Sequence, residues 1–421
     1  MEATQLSESD ARIEILRFPY PHSAMLAIVS DIDGTSVADF VNYHRFLNTL
    51  ELSVYGPGLG LDVGDSFWMY GPPGNPEVMS WWVGHDEAQV THAAELIRTC
   101  IEGGWIDAIH TYGDFQSGRF SRRHAVRSAE ELEAHGTRSL TVWLNHGNEN
   151  NTQNFPGAYR LAHYMEGDVP CSPAYHTDIT LQKLGIRYFQ SHDVSDFGST
   201  FPLAPYALRD GQKVWGFVRT SRRQQSLVGA GLGLLSSRVV QTLSRHGVRQ
   251  PKSFPFKSWL WHTNHLDEQL SSDNLRQLVR EGHFALIGQH LGSRGPLPTS
   301  AVRALRRLKE FSDSGEILVA RTSRLLNYAV TRAHLDFSVD QESEIVRIGQ
   351  ILDPVSGPRS PSLDDLRGIT FCGPGAETFR ILHGDEASPI PERELDRGRD
   401  RVGIRWFRPD TRDFSSMTTQ S

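Results

Sequence analysis

The chain has 421 residues, 38% of them hydrophobic, which is enough to bury one large and one smaller core. Its formal charge of −7, with Arg and acid mixed along the length, leaves no basic stripe to follow a phosphate backbone and argues against a nucleic-acid partner. The opening "MEATQLSESDARIEIL" has no signal-peptide pattern and no run reaches the roughly 18 apolar residues of a membrane span, so a cytoplasmic protein without a span is expected.

In chain order, short apolar runs recur and end in polar, ligand-type residues. "MLAIVSDID" ends at Asp31 and Asp33, "LGLDVGDSFWM" carries Asp65 and Trp68, and "WIDAIHTYGD" ends at His110 and Asp114. "LTVWLNHGN" ends at His146, "GIRYFQSHD" at His192 and Asp193, "KSWLWHTNH" at His262 and His265, and "FALIGQHLG" at His290; "GEILVART" closes the series. Between many of them lie helical patterns, such as "DEAQVTHAAELIRTCIEGG", "SRRHAVRSAEELEAHG" and "PTSAVRALRRLKEFSDSG", each stopped by Gly. Strands alternating with helices predict parallel βαβ units. With seven or eight strands the expected fold is α/β, a distorted (β/α)7-8 barrel whose strand ends gather the Asp and His residues on one face.

Residues 203–222 read as a hairpin inserted between barrel units, turning at Asp210-Gly211. After about residue 330, alternating segments broken by Pro predict a small β-rich module. The expected organisation is an N-terminal extension (1–19), a barrel (20–330), a β-rich C-terminal module (331–414) and a disordered tail (415–421). Cys100, Cys171 and Cys372 are odd in number and far apart, so they read as ordinary buried thiols.

Asp31 and Asp33 open two chemistries. "IVSDIDGTS" matches the first motif of haloacid-dehalogenase-type phosphatases, in which Asp31 would be the nucleophile and Asp33 the general acid/base. That family's later motifs are missing in order, since the "GDS" at Gly64–Ser66 comes too early. A wider stretch, "SDIDG", then "IHTYGD", then "YHTDITLQKLGIRYF", then "IGQHLG", resembles the ordered motifs of the polysaccharide deacetylase family, carbohydrate esterase family four, over residues 20–330.

That resemblance implies a barrel of the glycoside hydrolase/deacetylase type that removes N- or O-acetyl groups from a carbohydrate or sugar-like metabolite with one divalent metal (Zn, Mn, Fe, Co or Mg). Carried over, Asp31 is the catalytic base, His290 protonates the leaving group, and Asp33, His110 and Asp114 are the metal ligands. Asp114 stands where the family has a second His; His44, His146, His176 or His192 would restore a nitrogen ligand. The family's Arg-Pro-Tyr motif is replaced by "CSPAYHTD", which supplies Tyr175, His176 and Asp178 as substrate-binding candidates. Asn145, His146 and Asn150 in the amide-rich "NHGNENNTQN" suit hydroxyl-rich sugars, and Trp68 is a candidate for stacking on a pyranose face. The altered motifs keep a second reading open, a deacetylase-like fold that binds sugar without turnover.

Overall fold

The computed structural model describes residues 12–415 except 87, 116–118, 138–139, 148–150, 157–164, 223–259, 294 and 385–386. Eleven strands form one sheet: β1 (Ala24–Ser30), β2 (Asp65–Gly71), β3 (Ser80–Val83), β4 (Gln89–Val90), β5 (Ile106–His110), β6 (Val142–Leu144), β7 (Tyr188–Val194), β8 (Leu203–Ala207), β9 (Lys213–Thr220), β10 (Phe284–Gln289) and β11 (Ile317–Val319). Their order is β11-β1-β10-β9-β7-β6-β5-β2-β3-β4, with β8 beside β9. Every pairing from β11 through β3 is parallel; β3–β4 and β8–β9 are antiparallel. Although β1 and β2 stand far apart in that order, Ser66 Oγ in β2 donates to the Ser30 carbonyl of β1 at 2.8 Å.

The parallel order follows from the connections. Helices α1 (Val37–Asn48), α2 (Ala94–Gly103), α3 (Arg122–Ala134), α4 (Ser272–Glu281), α5 (Thr299–Asp313) and α6 (Thr322–His334) separate the strands. The Ser36 side chain caps α1 by accepting from Asp39 N at 3.1 Å. The glycines expected to stop α2, α3 and α5 do so: Gly104, Gly136 and Gly315 have φ of 79°, 69° and 76°.

Strand periodicity splits the core in two. Leu26 and Ile28 of β1 pack in the cluster that holds Phe40 of α1, Leu96 of α2 and Leu305 of α5. The alternate residues Met25, Ala27 and Val29, together with Val142, Tyr188 and Trp215, join a second cluster. That cluster is completed by Leu325 and Ala329 of α6 and by Val346, Phe371 and Val402 of the C-terminal region.

The C-terminal region is β-rich, as expected, and forms two sheets. One contains β12 (Leu335–Asp340), β13 (Ile345–Asp353), β14 (Gly357–Arg359), β16 (Arg380–His383) and β17 (Ser388–Pro389). The other contains the strand Glu14–Ile15, β15 (Thr370–Cys372), β18 (Leu395–Gly398) and β19 (Arg401–Ile404). Glu14–Ile15 pairs antiparallel with β15, so part of the expected N-terminal extension is a strand of the C-terminal module. Trp215 Nε1 of β9 donates to Asp353 Oδ1 at 3.0 Å across the shared core.

Two local readings change. The hairpin at 203–222 exists, with Gly211 at φ 87°, but its second strand, β9, is an internal strand of the main sheet between β7 and β10. Within "KSWLWHTNH", residues up to 259 lie outside the described residues; the remainder holds a short 3₁₀ turn, Thr263–His265, and an isolated bridge from His262 to His290, the residue after β10. Among the described residues no helix is long and apolar enough to cross a membrane.

Candidate metal centre

The inward-facing periodicity continues past the carboxyl ends of the strands. Asp31 follows Val29 by two residues, His110 follows Ala108, His146 follows Leu144 and Arg219 follows Phe217; each of the four preceding residues belongs to the second core. The polar residues thus stack on the apolar layer beneath, at the end of the sheet where parallel α/β proteins build sites.

Asp33 lies at the centre. Its Oδ2 is 3.0 Å from His110 Nε2 and its Oδ1 is 3.0 Å from His146 Nδ1, while those two nitrogens are 2.9 Å apart. Bonds of about 2.0–2.2 Å from a cation to N and O donors place ligand atoms roughly 3 Å from one another. This Asp-His-His group could therefore hold a divalent ion, and its mixed carboxylate and imidazole donors suit a first-row metal. A second group, Asp31, Asp33 and His290, shares Asp33: His290 Nε2 is 3.3 Å from Asp33 Oδ2 and 3.7 Å from Asp31 Oδ2.

Both Asp31 oxygens are held by Arg219, Nη1 to Oδ1 at 2.6 Å and Nη2 to Oδ2 at 2.8 Å, and Arg219 Nε donates to Asp193 Oδ1 at 2.6 Å. All three side chains are buried. Gly288 makes room for the guanidinium, since a Cβ there would lie 2.9 Å from Arg219 Cδ. Burial pushes the Asp31 carboxyl up, but Arg219, with His110 and His290, outweighs burial and holds it below the usual carboxylate range. Asp33 is likewise held well below that range by His110 and His146 against its own burial. Burial acts to lower His146, yet Asp33 and Asp114 together raise it to about 10.

The position of Asp114 follows from the backbone. After His110 the chain takes a left-handed step at Thr111 (φ 50°) and a glycine conformation at Gly113 (φ 146°), both near the site. Asp114 then stands behind His146, its Oδ1 3.6 Å from His146 Nε2, the ring nitrogen turned away from Asp33. Carboxylates in that position commonly orient a ligating imidazole. Among the described residues Asp114 belongs to neither ligand group, and His146 completes the set with Asp33 and His110.

The described amides of this segment bond the backbone around the centre, and Asn145 and Asn154 also line the cavity beside it. Asn154 accepts from His146 N at 2.9 Å and donates to His146 O at 2.6 Å. Gln153 accepts from Tyr112 N at 2.9 Å and donates to Gly113 O at 2.7 Å, and Asn151 accepts from Phe115 N at 2.9 Å. Asn145 donates to the carbonyls of Phe155 and Gln190, at 3.0 and 3.1 Å, and accepts from Trp143 Nε1 and Phe155 N, both at 3.1 Å. Asn150 lies outside the described residues. An Asn154→Ala substitution is expected to weaken metal binding about 10–100-fold, as loss of an outer partner does, and to leave the protein folded; titration with a divalent metal beside a melting curve measures both.

Other candidates sit elsewhere. His176 is buried, with Nδ1 2.7 Å from Thr180 Oγ1 and Nε2 2.7 Å from the Gln153 carbonyl, and burial lowers its pKa to about 4. Asp178 is held by Arg122 at 2.6 and 2.5 Å, and Tyr175 donates to Asp210 at 3.1 Å. On α1, His44 bonds Asn48 at 2.9 Å and stacks on Trp105. His192 is 3.0 Å from Ser191 Oγ. Among the described residues none of these groups joins the ligand sets. Trp68 is buried and stacks parallel to the His110 ring at 6.0 Å, so it backs the centre. Trp261 is the tryptophan on the open side: it is 40% exposed, lies 4.5 Å from the His290 ring, and lines a cavity of about 270 Å³ with Arg219, Asp193 and His146.

Arg219 is the functional candidate that sequence reasoning passed over. "VWGFVRTS" carries the same signature as the other runs, an apolar strand ending in a polar residue, but the hairpin beside it drew the reading outward. The chain matches no protein-family model and no curated relative.

Proposed function

We propose that the protein is a metal-dependent hydrolase that removes an acyl group, N- or O-acetyl, from a carbohydrate or sugar-like metabolite, on a distorted barrel that β1 and β2 nearly close. The observation that carries this reading is the juxtaposition of Asp33, His110 and His146 with the Arg219-bound Asp31 and with His290. Asp33, His110 and His146 would hold the ion. When bound, a divalent cation supplies Lewis-acid polarisation of the acyl carbonyl and makes water more acidic.

The protein's own groups do the rest. Asp31, kept ionised by Arg219, takes a proton from the water that adds to the acyl carbon, and His290 gives a proton to the nitrogen or oxygen that departs as the C–N or C–O bond breaks. The products are a carboxylic acid and a free amine or hydroxyl. Trp261 offers a half-open indole face at the cavity mouth for a sugar ring.

Arg219 weakens the binding-only reading: beside Asp31 it supplies the arginine whose motif is altered in the sequence, which a fold without turnover has no need to retain. The phosphatase reading lacks that family's later motifs in order.

Acetate release from N- and O-acetylated sugars, with each divalent metal added in turn, tests the proposal. Asp31→Asn and His290→Asn are each expected to lose about 10²–10⁴-fold in rate while still binding metal. A metal-loaded protein that releases no acetate, or that releases phosphate from aryl phosphates in an Asp31-dependent manner, would sink it.

Metal uptake should also depend on pH. His146 is raised to about 10 and must lose its proton to ligate. Affinity is therefore expected to climb about tenfold per pH unit through neutrality, with one proton released per ion. Calorimetry in two buffers of different ionisation enthalpy counts that proton.

A further inference from the structure

Two adjoining cavities of about 390 and 480 Å³ on the C-terminal module meet at Arg405 and Trp406. Together they are lined by Arg367, Arg393, Arg401, Arg405 and Arg408 against two carboxylates, Glu394 and Asp396. Glu394 is already engaged by Arg367 at 2.5 Å. Elsewhere half-buried Arg122, Arg209, Arg321 and Arg359 pair with acids, and Arg306 and Arg332 bond backbone carbonyls. Here, among the described residues, the Arg401, Arg405 and Arg408 guanidiniums have no carboxylate within 4.0 Å: Arg405 Nε donates to the Leu395 carbonyl at 2.8 Å, Arg401 lies over the Tyr20 ring at 3.3 Å, and Arg401 Nε is buried without a hydrogen-bond partner. In a chain of net charge −7 this is a local concentration of unpaired positive charge around a partly open indole.

The groove is remote from the metal centre. Pro19 and Tyr20, which line it, precede β1, whereas Asp31 follows that strand. Seven strand steps of about 3.3 Å separate Ala24 from Asp31, roughly 23 Å. A ligand here is therefore held apart from the reacting group.

We propose that this groove binds an acidic saccharide, a short chain of sugars bearing carboxylates, with Arg401, Arg405 and Arg408 pairing its anions and Trp406 lying against a pyranose face. Guanidinium forks match planar carboxylates, and an indole beside them suits the apolar face of a sugar ring. A nucleic-acid strand would run beyond the groove onto a net acidic protein, whereas a short acidic saccharide ends within it. The choice of a saccharide rests on the function proposed for the metal centre; the excess of unpaired arginine does not.

Titration of the full chain with trigalacturonic acid, maltotriose, inorganic phosphate and a thymidine decanucleotide tests the groove. The expected result is binding of trigalacturonic acid, none of maltotriose, and at least a tenfold loss in the exposed double variant Arg405→Gln/Arg408→Gln, whose metal uptake is unchanged. Trp406→Phe should weaken trigalacturonic acid while leaving the melting temperature in place. No binding of trigalacturonic acid, equal or tighter binding of phosphate or the decanucleotide, or binding that survives the double variant but is lost in Asp33→Ala would each overturn the proposal. Acetate release is read in a separate assay with small acetylated sugars. Its absence would remove the catalytic reading while groove binding is still measured directly.

Discussion

Titrated with a divalent metal, folded Asp33→Ala, His110→Ala and His146→Ala proteins are each expected to lose more than the roughly 100-fold in affinity that removal of an outer partner produces, whereas Asp114→Ala should lose only about 10–100-fold. The contrast follows from geometry. The His110 and His146 nitrogens lie 2.9 Å apart and each 3.0 Å from one of the two Asp33 oxygens, while the Asp114 carboxylate is 3.6 Å from the far nitrogen of His146. Deleting a donor removes a bond to the ion; deleting Asp114 frees the His146 ring to rotate and lowers its basicity. Elemental analysis and calorimetry on the four variants, each checked by melting, separate the two classes. If Asp114→Ala were as damaging as His146→Ala, Asp114 would be a ligand and the backbone turn at Thr111 would have to open in the loaded protein.

The same contrast marks what could be read from the sequence. Asp31, Asp33, His110 and His290 were legible because each ends an apolar run, and period-two alternation then fixes which face each shares with the core below. The alternating strands and the three Gly-stopped helices were legible for the same local reason. His146 was noted at a strand end, but its pairing with Asp33 bridges 113 positions, and local spacing says nothing about contacts at that range. Asp114 is a ligand only as the family resemblance implies, at the place of its second His; with positive φ at Thr111 and Gly113, its Oδ1 stands 3.6 Å from the far nitrogen of His146. The amides of 145–154 were ambiguous because Asn and Gln serve a sugar hydroxyl and a backbone amide equally well. Only the fold shows that Asn154 spends both its groups on His146. Glu14–Ile15 escaped notice because a two-residue strand has no periodicity to detect.

Replacing Arg219 by Met is expected to destabilise the protein by about 3–5 kcal/mol near pH 7, the usual result of leaving buried charges without their partner. Arg219 is 6% exposed and bridges Asp31 and Asp193, which are also buried, so its loss strands two carboxylates in the interior. The pH dependence distinguishes this cause from a packing defect. In the native chain the Asp31 pKa is held below its ordinary value of 3.8, so its contribution is present above that value and is lost as pH falls through the folded pKa. Without Arg219, burial, the largest influence on Asp31, is opposed only by His110 and His290 and is expected to lift its folded pKa above the unfolded one. The penalty is then largest at neutral pH and is relieved as pH falls through the raised value. The stability difference between the two proteins should accordingly shrink from pH 7 toward pH 4, as followed by urea unfolding at several pH values. Arg219→Met/Asp193→Asn should recover part of the loss by removing one stranded charge. Arg219→Lys should fall between, since an ammonium cannot grip both Asp31 oxygens and still reach Asp193. A loss below about 1 kcal/mol, the scale of an exposed pair, or one that does not change with pH, would mean that Asp31 is not a buried, arginine-held carboxylate and would remove the basis for its role as the base.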